Sequence, residues 1–352
     1  MKKKNSISLL VILFLFNYNT FGNTMKDLPY HHLPDGTFRN PEGSPQRDPN
    51  FNWSFKIFNE EKKKLNINVP PGHVINKKEV LENLKKYKNK DYVAWIGHAT
   101  FLIKLGNTTI ITDPVFEKNM GPLIFGPKRY VDPAINLKEI PEVNLFLLTH
   151  NHYDHLHNDS LNRFSENTRL YLPLDNAEHV DFDQGPIIEM DWYTQTKHDD
   201  TSIHFLPANH TSSRGISDHE ESLWGSWLLQ DGSYSVYFAG DTGYSPIFKD
   251  MHSKFGDIDV CLMPIVAYPG PARKMHLAPE DAIKAAQDLG CKIFVPWGYG
   301  TWSLGYEHVN EPLRRLAKAV EDMKPNFIVK PLKMGESLNY VELLKLKRIV
   351  LN

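Results

Sequence analysis

Short apolar stretches of six or seven residues recur along the chain from residue 92 onward. The first three read YVAWIG (92–97), TFLIKLG (100–106) and TTIITDP (108–114), and glycine-containing turns join them. Apolar runs of this length between turn residues predict β-strands. A fourth run, NLFLLTH (144–150), is continuously apolar up to its histidine, which is typical of a strand buried on both faces. Similar strand patterns continue to residue 243.

The pattern changes in the last third of the chain. DVCLMPI (259–265) and CKIFVPWG (291–298) predict buried strands, and PEDAIKAAQDLG (279–290) between them predicts an amphipathic helix. Proline in the first turn and glycine at the end support that helix. Two more helices are predicted, from KKEVLENLKKYK (77–88) and NEPLRRLAKAVEDM (310–323). Mixed strands followed by a βαβ unit predict one layered α/β domain over residues 70–352.

The chain before residue 70 has a different character. Residues 1–22 carry three lysines, an apolar run near 7–16 and then polar residues, the order found in a secretory signal peptide. An apolar run of this length is well below the roughly 20 residues that span a bilayer. We therefore expect an exported protein, periplasmic or secreted, with an uncleaved anchor as the alternative. Residues 23–69 are predicted to form an extended segment on the surface.

Composition and charge exclude some classes of protein. Hydrophobic residues at 41% and charged residues at 23% are globular values. Loss of residues 1–22 would leave 37 basic against 42 acidic residues, a net charge of −5, so we expect no nucleic-acid partner. Cys261 and Cys291 both lie in apolar, strand-like stretches, and we expect them to be buried free thiols rather than a disulfide.

The chemistry is concentrated after the fourth strand, in THNHYDHLH (149–157). His150 and His152 alternate along an extended segment, so both side chains can reach one metal ion. Asp154 and His155 follow where the chain must turn and can face a second position. Imidazole and carboxylate ligands suit zinc, and also admit manganese or iron. A solvated histidine-rich loop is the weaker interpretation.

Further ligand-type residues end later strands. His210 ends SIHFLPANH, Asp241 ends SVYFAGD, and His308 precedes the last predicted helix. Strand-to-loop junctions are where α/β folds build their sites.

These motifs resemble those of the metallo-β-lactamase superfamily. WIGHAT, TDPVF, GPKRY, LLTHNHYDHL, PANHTSSRG, FAGDTGY and GTWSLGYEH are similar to the family of N-acylphosphatidylethanolamine-hydrolysing phospholipases D, over residues 38–336. The resemblance implies a four-layer αββα sandwich with two Zn²⁺ ions. One ion would be bound by His150, His152 and His210. The other would be bound by Asp154, His155 and His308, with Asp241 bridging both.

The resemblance also implies roles for residues around the metals. Asp113 would orient a ligand histidine, with a turn-initiating aspartate as the alternative. His276 would contact the substrate phosphate or act as the leaving-group acid, with helix capping as the alternative. Lys128 and Arg129 could attract an anionic head group or simply form a solvated loop. His98 is interpreted as structural or as a support to the ligands. The stretch PGPARKM (269–275) departs from the family pattern.

The predicted function is that of a zinc-dependent phosphodiesterase of phospholipase D type. A hydroxide bridging the metals would attack N-acyl phosphatidylethanolamine or a related glycerophosphodiester. The candidate catalytic residues are Asp154, Asp241 and His276. A lactonase or cyclic-phosphodiester hydrolase, and a metal-stabilised binding protein without catalysis, are the alternatives. The expected partner is a phospholipid or another phosphodiester; contact with a membrane surface and a homodimer stay open.

Overall fold

The computed structural model describes most of the chain beyond the N-terminal 27 residues. The described residues are 28–46, 63–65, 67–121, 126–162, 164, 167–183, 185–215 and 217–350. The predicted signal peptide over residues 1–22 lies outside them.

Two mixed seven-stranded sheets form the centre of the molecule. The strands of the first sheet are β1 Tyr92–Gly97, β2 Thr100–Leu105, β3 Thr108–Thr112, β4 Leu145–Leu147, β5 Arg169–Pro173, β6 Ile187–Met190 and β14 Ser337–Leu338. Their order is β14-β1-β2-β3-β4-β5-β6. The three strands predicted between residues 92 and 114 are present, and the predicted fourth is the shorter β4.

The second sheet contains the remaining strands. They are β7 Thr194–His198, β8 Thr201–Leu206, β9 Ser226–Gln230, β10 Ser235–Phe238, β11 Ile258–Pro264, β12 Cys291–Trp297 and β13 Ile328–Val329. Their order is β13-β12-β11-β10-β9-β8-β7. The sheets pack face to face through buried aromatic side chains, such as Phe101 of β2 and Phe238 of β10, whose ring centroids are 6.2 Å apart.

Helices cover the outer faces of this pair of sheets. The helices are α1 Lys77–Tyr87, α2 Asn158–Leu161, α3 Ile247–Phe255, α4 Pro279–Asp288, α5 Glu311–Met323 and α6 Tyr340–Val350, with 3-10 turns at Leu137–Glu139, Ala177–His179 and Gly270–Lys274. Helix α4 packs on β11 and β12 and between α3 and α5, whereas α1 contacts β14. The architecture is the predicted αββα sandwich. Within the described residues, no helix has the length and apolar character needed to cross a membrane.

The predicted βαβ unit is β11–α4–β12. Pro279 begins α4, Glu280 and Asp281 lie in its first turn, and Gly290 follows its end with a φ of +72°. Proline suits the first turn because its missing N–H would have no helical partner there, and a positive φ favours glycine. The helix that was predicted from this proline and this glycine is therefore confirmed.

Cys261 and Cys291 are joined in a disulfide, with their Cα atoms 6.1 Å apart. The prediction of free thiols is wrong. Each cysteine lies in a buried strand, as expected, but β11 and β12 are hydrogen-bonded neighbours, which brings the two side chains together. Burial alone therefore does not distinguish a thiol from a disulfide.

The described part of the N-terminal segment, residues 28–46, lies against the domain. The Phe38 amide donates to the Glu220 carbonyl at 2.8 Å, and Phe38 is buried in the main core. Asn40 is buried, and its Oδ1 accepts a hydrogen bond from the His210 amide at 2.8 Å. The segment thus contacts one of the predicted metal ligands.

Candidate metal centre

The site lies where the two sheets present the carboxyl ends of their strands on the same side. His98 follows β1, Asp113 follows β3 and the THNHYDH stretch follows β4, while His210 and Asp241 follow β8 and β10. Gly240 allows β10 to approach β4 closely, because a Cβ at this position would lie 2.7 Å from the Thr149 Cβ. A larger residue would separate Asp241 from the histidines.

Three imidazoles form the first group of ligand atoms. His150 Nε2 lies 2.9 Å from His152 Nδ1, and His210 Nε2 lies 3.2 Å from the same atom. Burial lowers the pKa of His152 to about 4 and holds those of His150 and His210 well below the usual range. All three are therefore neutral at neutral pH, which is the form that binds a metal.

Hydrogen bonds on the far side of two of these rings set which nitrogen carries the proton. The His210 Nδ1–H donates to the Met275 carbonyl at 3.1 Å. Thr149 Oγ1 donates to Asp113 Oδ2 at 2.7 Å and accepts from His150 Nδ1–H at 3.0 Å. Both Nε2 atoms are left with lone pairs directed at His152, an arrangement that pre-orients metal ligands.

A second group consists of Asp154, His155 and Asp241. His155 Nε2 lies 3.5 Å from Asp154 Oδ2 and 3.4 Å from Asp241 Oδ2. Its Nδ1–H donates to Asp113 Oδ2 at 2.7 Å, so Asp113 orients His155 as predicted. Among the described residues, His155 Nε2 and Asp241 Oδ1 are buried without a hydrogen-bond partner.

Electrostatics favour a positive charge inside this second group. Burial by itself would lower the pKa of His155, but the charges of Asp241 and Asp154 raise it well above the usual range. Burial likewise opposes ionisation of the two carboxyls, yet the charge of His155 holds both pKa values well below the usual range. A divalent cation supplies the same positive charge when it displaces the proton. The ionised carboxylates and the partnerless buried atoms fit a metal ion.

His276 lies at the margin of the two groups and is half-buried. Its Nε2 is 3.4 Å from Asp241 Oδ2, and its ring centroid is 5.0 Å from that of His210. Its Nδ1–H donates to the Ala272 carbonyl at 3.2 Å, which leaves Nε2 directed toward Asp241. The residue thus lies beside the predicted ligands, where a contact with substrate was expected.

Three other predicted residues lie in loops around the centre. His308 lies in the turn before α5 and is exposed, and its role as a ligand stays a prediction. Arg129 stacks on Trp302 at 4.2 Å, and its Nε donates to the Glu117 carbonyl at 2.7 Å, so it stabilises the loop instead of facing a head group. Lys128 is exposed.

His98, interpreted from the sequence as structural or as a support to the ligands, contacts two predicted ligands. This buried residue lies 3.0 Å from Asp154 through its Nε2 and is in edge contact with the His155 ring. The available signal was its position: His98 directly follows β1, at the same edge of the sheet as the residues after β3 and β4.

Comparison with known proteins agrees with this geometry. Residues 108–299 match the model of the Beta-lactamase superfamily domain. An uncharacterized protein of Mycobacterium tuberculosis is 32% identical over 238 residues, which are 65% of this chain and 64% of that protein. N-acyl-phosphatidylethanolamine-hydrolyzing phospholipase D 1 of Caenorhabditis elegans is 30% identical over 267 residues, which are 70% of this chain and 74% of that protein.

Solved structures extend the comparison to the fold. Igni18, a metallo hydrolase of Ignicoccus hospitalis, superposes with a TM-score of 0.52 at 20% identity, covering 71% of this chain and 97% of its own. The matched domain model covers more than half of the present sequence, including the strands that carry Asp113, the THNHYDH stretch, His210 and Asp241. The chain therefore belongs to the β-lactamase superfamily, with N-acylphosphatidylethanolamine-hydrolysing phospholipases D among its relatives.

Proposed function

We propose that this protein is a zinc-dependent phosphodiesterase of phospholipase D type, acting on N-acyl phosphatidylethanolamine or a related glycerophosphodiester. The observation that carries the proposal is the pair of ligand groups, one of three imidazoles and one of carboxylates and imidazole, which meet at Asp241. Two adjacent ion positions suit the in-line displacement of a phosphodiester oxygen. The name of the C. elegans relative supports the lipid substrate.

Zinc at these positions would supply Lewis acidity and lower the pKa of a bound water toward 7. The residues of the chain supply the atoms that would bind the ions. His150, His152 and His210 provide three neutral nitrogens, and Asp241 lies between the two groups. Asp154 and Asp241 are the carboxylates of the ligand groups, so we propose a catalytic as well as a ligand role for them.

His276 is proposed to contact the phosphoryl group or to donate a proton to the leaving alkoxide. Its half-buried ring combines access to solvent with a place beside Asp241 and His210. The Ala272 carbonyl accepts from its Nδ1 and so directs Nε2 into the site. A proton donated from Nε2 can return from solvent at this margin.

The stretch over residues 269–275, which departs from the family pattern, forms the 3-10 turn Gly270–Lys274 beside this margin. Arg273 forms hydrogen bonds with two acidic residues of α4: its Nε donates to Asp281 at 2.7 Å, and it also donates to Glu280. The Met275 carbonyl holds His210, so the turn is fixed to the first ligand group. We propose that this turn forms the substrate entrance and contributes shape, with Arg273 paired to α4.

A direct assay tests the substrate. The zinc-loaded protein is incubated with N-acyl phosphatidylethanolamine in mixed micelles and, separately, with an acyl lactone. Release of phosphatidic acid and N-acylethanolamine is followed by mass spectrometry. Asp241→Asn should abolish the release, and Asp199→Asn, an exposed aspartate in the turn between β7 and β8, should leave it unchanged. Lactone turnover with intact lipid would favour the lactonase alternative and contradict the proposal.

We also propose export, based on the predicted signal peptide. Expression of the full chain in a Gram-negative host, followed by N-terminal sequencing of the periplasmic fraction, should give a chain that begins near Asn23. A full-length chain in the membrane fraction would instead indicate an uncleaved anchor.

A further inference from the structure

We propose that Arg214 is a positioning residue of the metal centre, which holds the ligand loop, residues 150–156, in the conformation that binds metal. Its Nη1 donates to the Asn151 carbonyl at 3.0 Å and to the Leu156 carbonyl at 2.7 Å. One nitrogen atom thus joins the two sides of the loop. The proposal rests on the metal centre of the proposed function, but not on the identity of the substrate.

The ligand loop has only a tight turn as regular structure. In this turn, between β4 and α2, the His155 and Leu156 amides donate to the His152 carbonyl at 3.0 and 2.8 Å. The carbonyls of Asn151 and Leu156 belong to buried residues and take no part in the turn. A buried carbonyl needs a donor, and bonds from a charged donor are stronger than those between neutral groups. Arg214 supplies this donor to both carbonyls.

The guanidinium of Arg214 also stacks on Tyr153, which is itself part of the loop. Its Cζ lies 3.7 Å from the centre of the Tyr153 ring. A planar guanidinium can stack on an aromatic face and donate from its edge at the same time, whereas the ammonium of lysine is a point charge on a flexible stem. Tyr153 lies between His152 and Asp154 in the sequence, so this contact fixes the chain between two predicted ligands.

Arg214 is itself held by the segment that follows His210. The Arg214 amide donates to Asp218 Oδ2 at 2.9 Å, and Ser213 Oγ donates to Asp218 Oδ1 at 2.8 Å. The Ser213 amide donates to Asn151 Oδ1 at 2.9 Å, which is a further contact with the loop. The segment therefore joins the third imidazole of the first ligand group to the loop that carries the other two.

Amide exchange in the metal-free protein tests the proposal without zinc or substrate. In Arg214→Ala, NMR should show the His155 and Leu156 amides exchanging at least about tenfold faster than in the wild type, because the turn loses both anchors. The Leu148 amide donates to the Tyr171 carbonyl at 2.9 Å, and it should exchange at the wild-type rate if the sheet is intact. Unchanged exchange in the turn, or equal acceleration at Leu148, would overturn the proposal.

Zinc affinity measures the consequence for metal binding. In competition with a chelator, Arg214→Ala should bind zinc about 10- to 100-fold more weakly than the wild type. The matched control is Arg169→Ala, which removes an exposed arginine at the start of β5, at the opposite end of that strand from the centre. Wild-type zinc affinity in a folded Arg214→Ala protein would also overturn the proposal.

The variant Arg214→Lys covers the case in which Arg214→Ala does not fold. Lysine keeps a charged donor for the carbonyls but has no planar group to stack on Tyr153. Zinc binding should weaken by about three- to tenfold, the change that corresponds to loss of a cation–π contact. The turn amides of His155 and Leu156 should exchange faster by a similar factor. Wild-type values of both quantities would show that a positive charge is sufficient and would contradict the role of the guanidinium.

Discussion

Two groups of histidines and aspartates in this molecule have similar compositions and opposite hydrogen-bond arrangements. In the N-terminal segment, His31 Nε2 and His32 Nε2 each approach a different oxygen of Asp191, at 2.6 and 2.9 Å. We call these three residues the N-terminal clasp. Each imidazole N–H meets one carboxylate oxygen, so the clasp is satisfied without an ion. In the metal centre, the Nδ1–H groups are used by Asp113, Thr149 and the Met275 carbonyl, and the Nε2 atoms converge.

The difference teaches that the number and closeness of ligand-type residues do not define a metal site. Both groups bring three such residues within 4.8 Å. What separates them is the direction of the imidazole protons, which is set by partners on the far side of each ring. The predictions below test whether the centre binds metal and the clasp does not.

The largest effect is expected from Asp241→Asn, which removes the carboxylate shared by the two ligand groups. Hydrolytic kcat/KM should fall by at least about 100-fold, and the zinc content after gel filtration should decrease. The measurements are steady-state kinetics and elemental analysis of the same samples. Retention of both zinc and activity would show that Asp241 does not join the two groups.

Asp113→Asn should weaken zinc binding by about 10- to 100-fold, because the carboxylate that orients His155 and Thr149 loses its charge. Competition with a chelator of known affinity measures the change. The matched control is Asp191→Asn, in which a carboxylate also paired with imidazole is changed in the clasp. If the two variants bound zinc with equal affinity, Asp113 would support zinc binding no more than Asp191 does.

Asp191→Asn should instead lower the free energy of unfolding by about 1–3 kcal/mol, since a charge-assisted hydrogen bond to a half-buried imidazole is lost. Urea denaturation measures the difference. The zinc content should stay that of the wild type. A loss of one zinc per chain in this variant would make the clasp an ion site.

The clasp should also weaken in acid. Burial acts to raise the pKa of Asp191, but the hydrogen bonds from His31 and His32 outweigh it and hold the pKa well below its usual range. The stabilisation is therefore complete above the unfolded-state pKa of about 3.9 and is lost as the pH falls toward the folded-state pKa. The stability difference between wild type and Asp191→Asn should shrink as the pH falls below about 4. A difference that stays unchanged down to about pH 2 would contradict this pairing.

The sequence predicted much of this architecture, because the relevant signals are local. Alternation and length of apolar runs indicated β1 to β3, and Pro279 with Gly290 marked α4. The positions of His150, His152, Asp154 and His155 follow from one short motif after a buried strand, and the structure places them together with His210 and Asp241.

The features that were missed depend on long-range geometry. Whether Cys261 and Cys291 bond depends on the neighbouring positions of β11 and β12. The exposure of His308 depends on how the chain turns before α5. His98 approaches Asp154 only because β1 and β4 end at the same edge and because its backbone adopts a positive φ. The clasp joins residues separated by 159 or 160 positions, which no local pattern reveals.

The contact between Asn40 and the His210 amide has a practical consequence for work with this protein. A chain cut at residue 70, where the strand and helix patterns begin, keeps every sheet but loses Asn40 and the clasp. The His210 amide and the Trp224 indole, which also lies 3.3 Å from Asn40 Oδ1, would then lose this partner in the interior. Segment 28–46 therefore helps to hold His210 in place, and expression vectors should retain it.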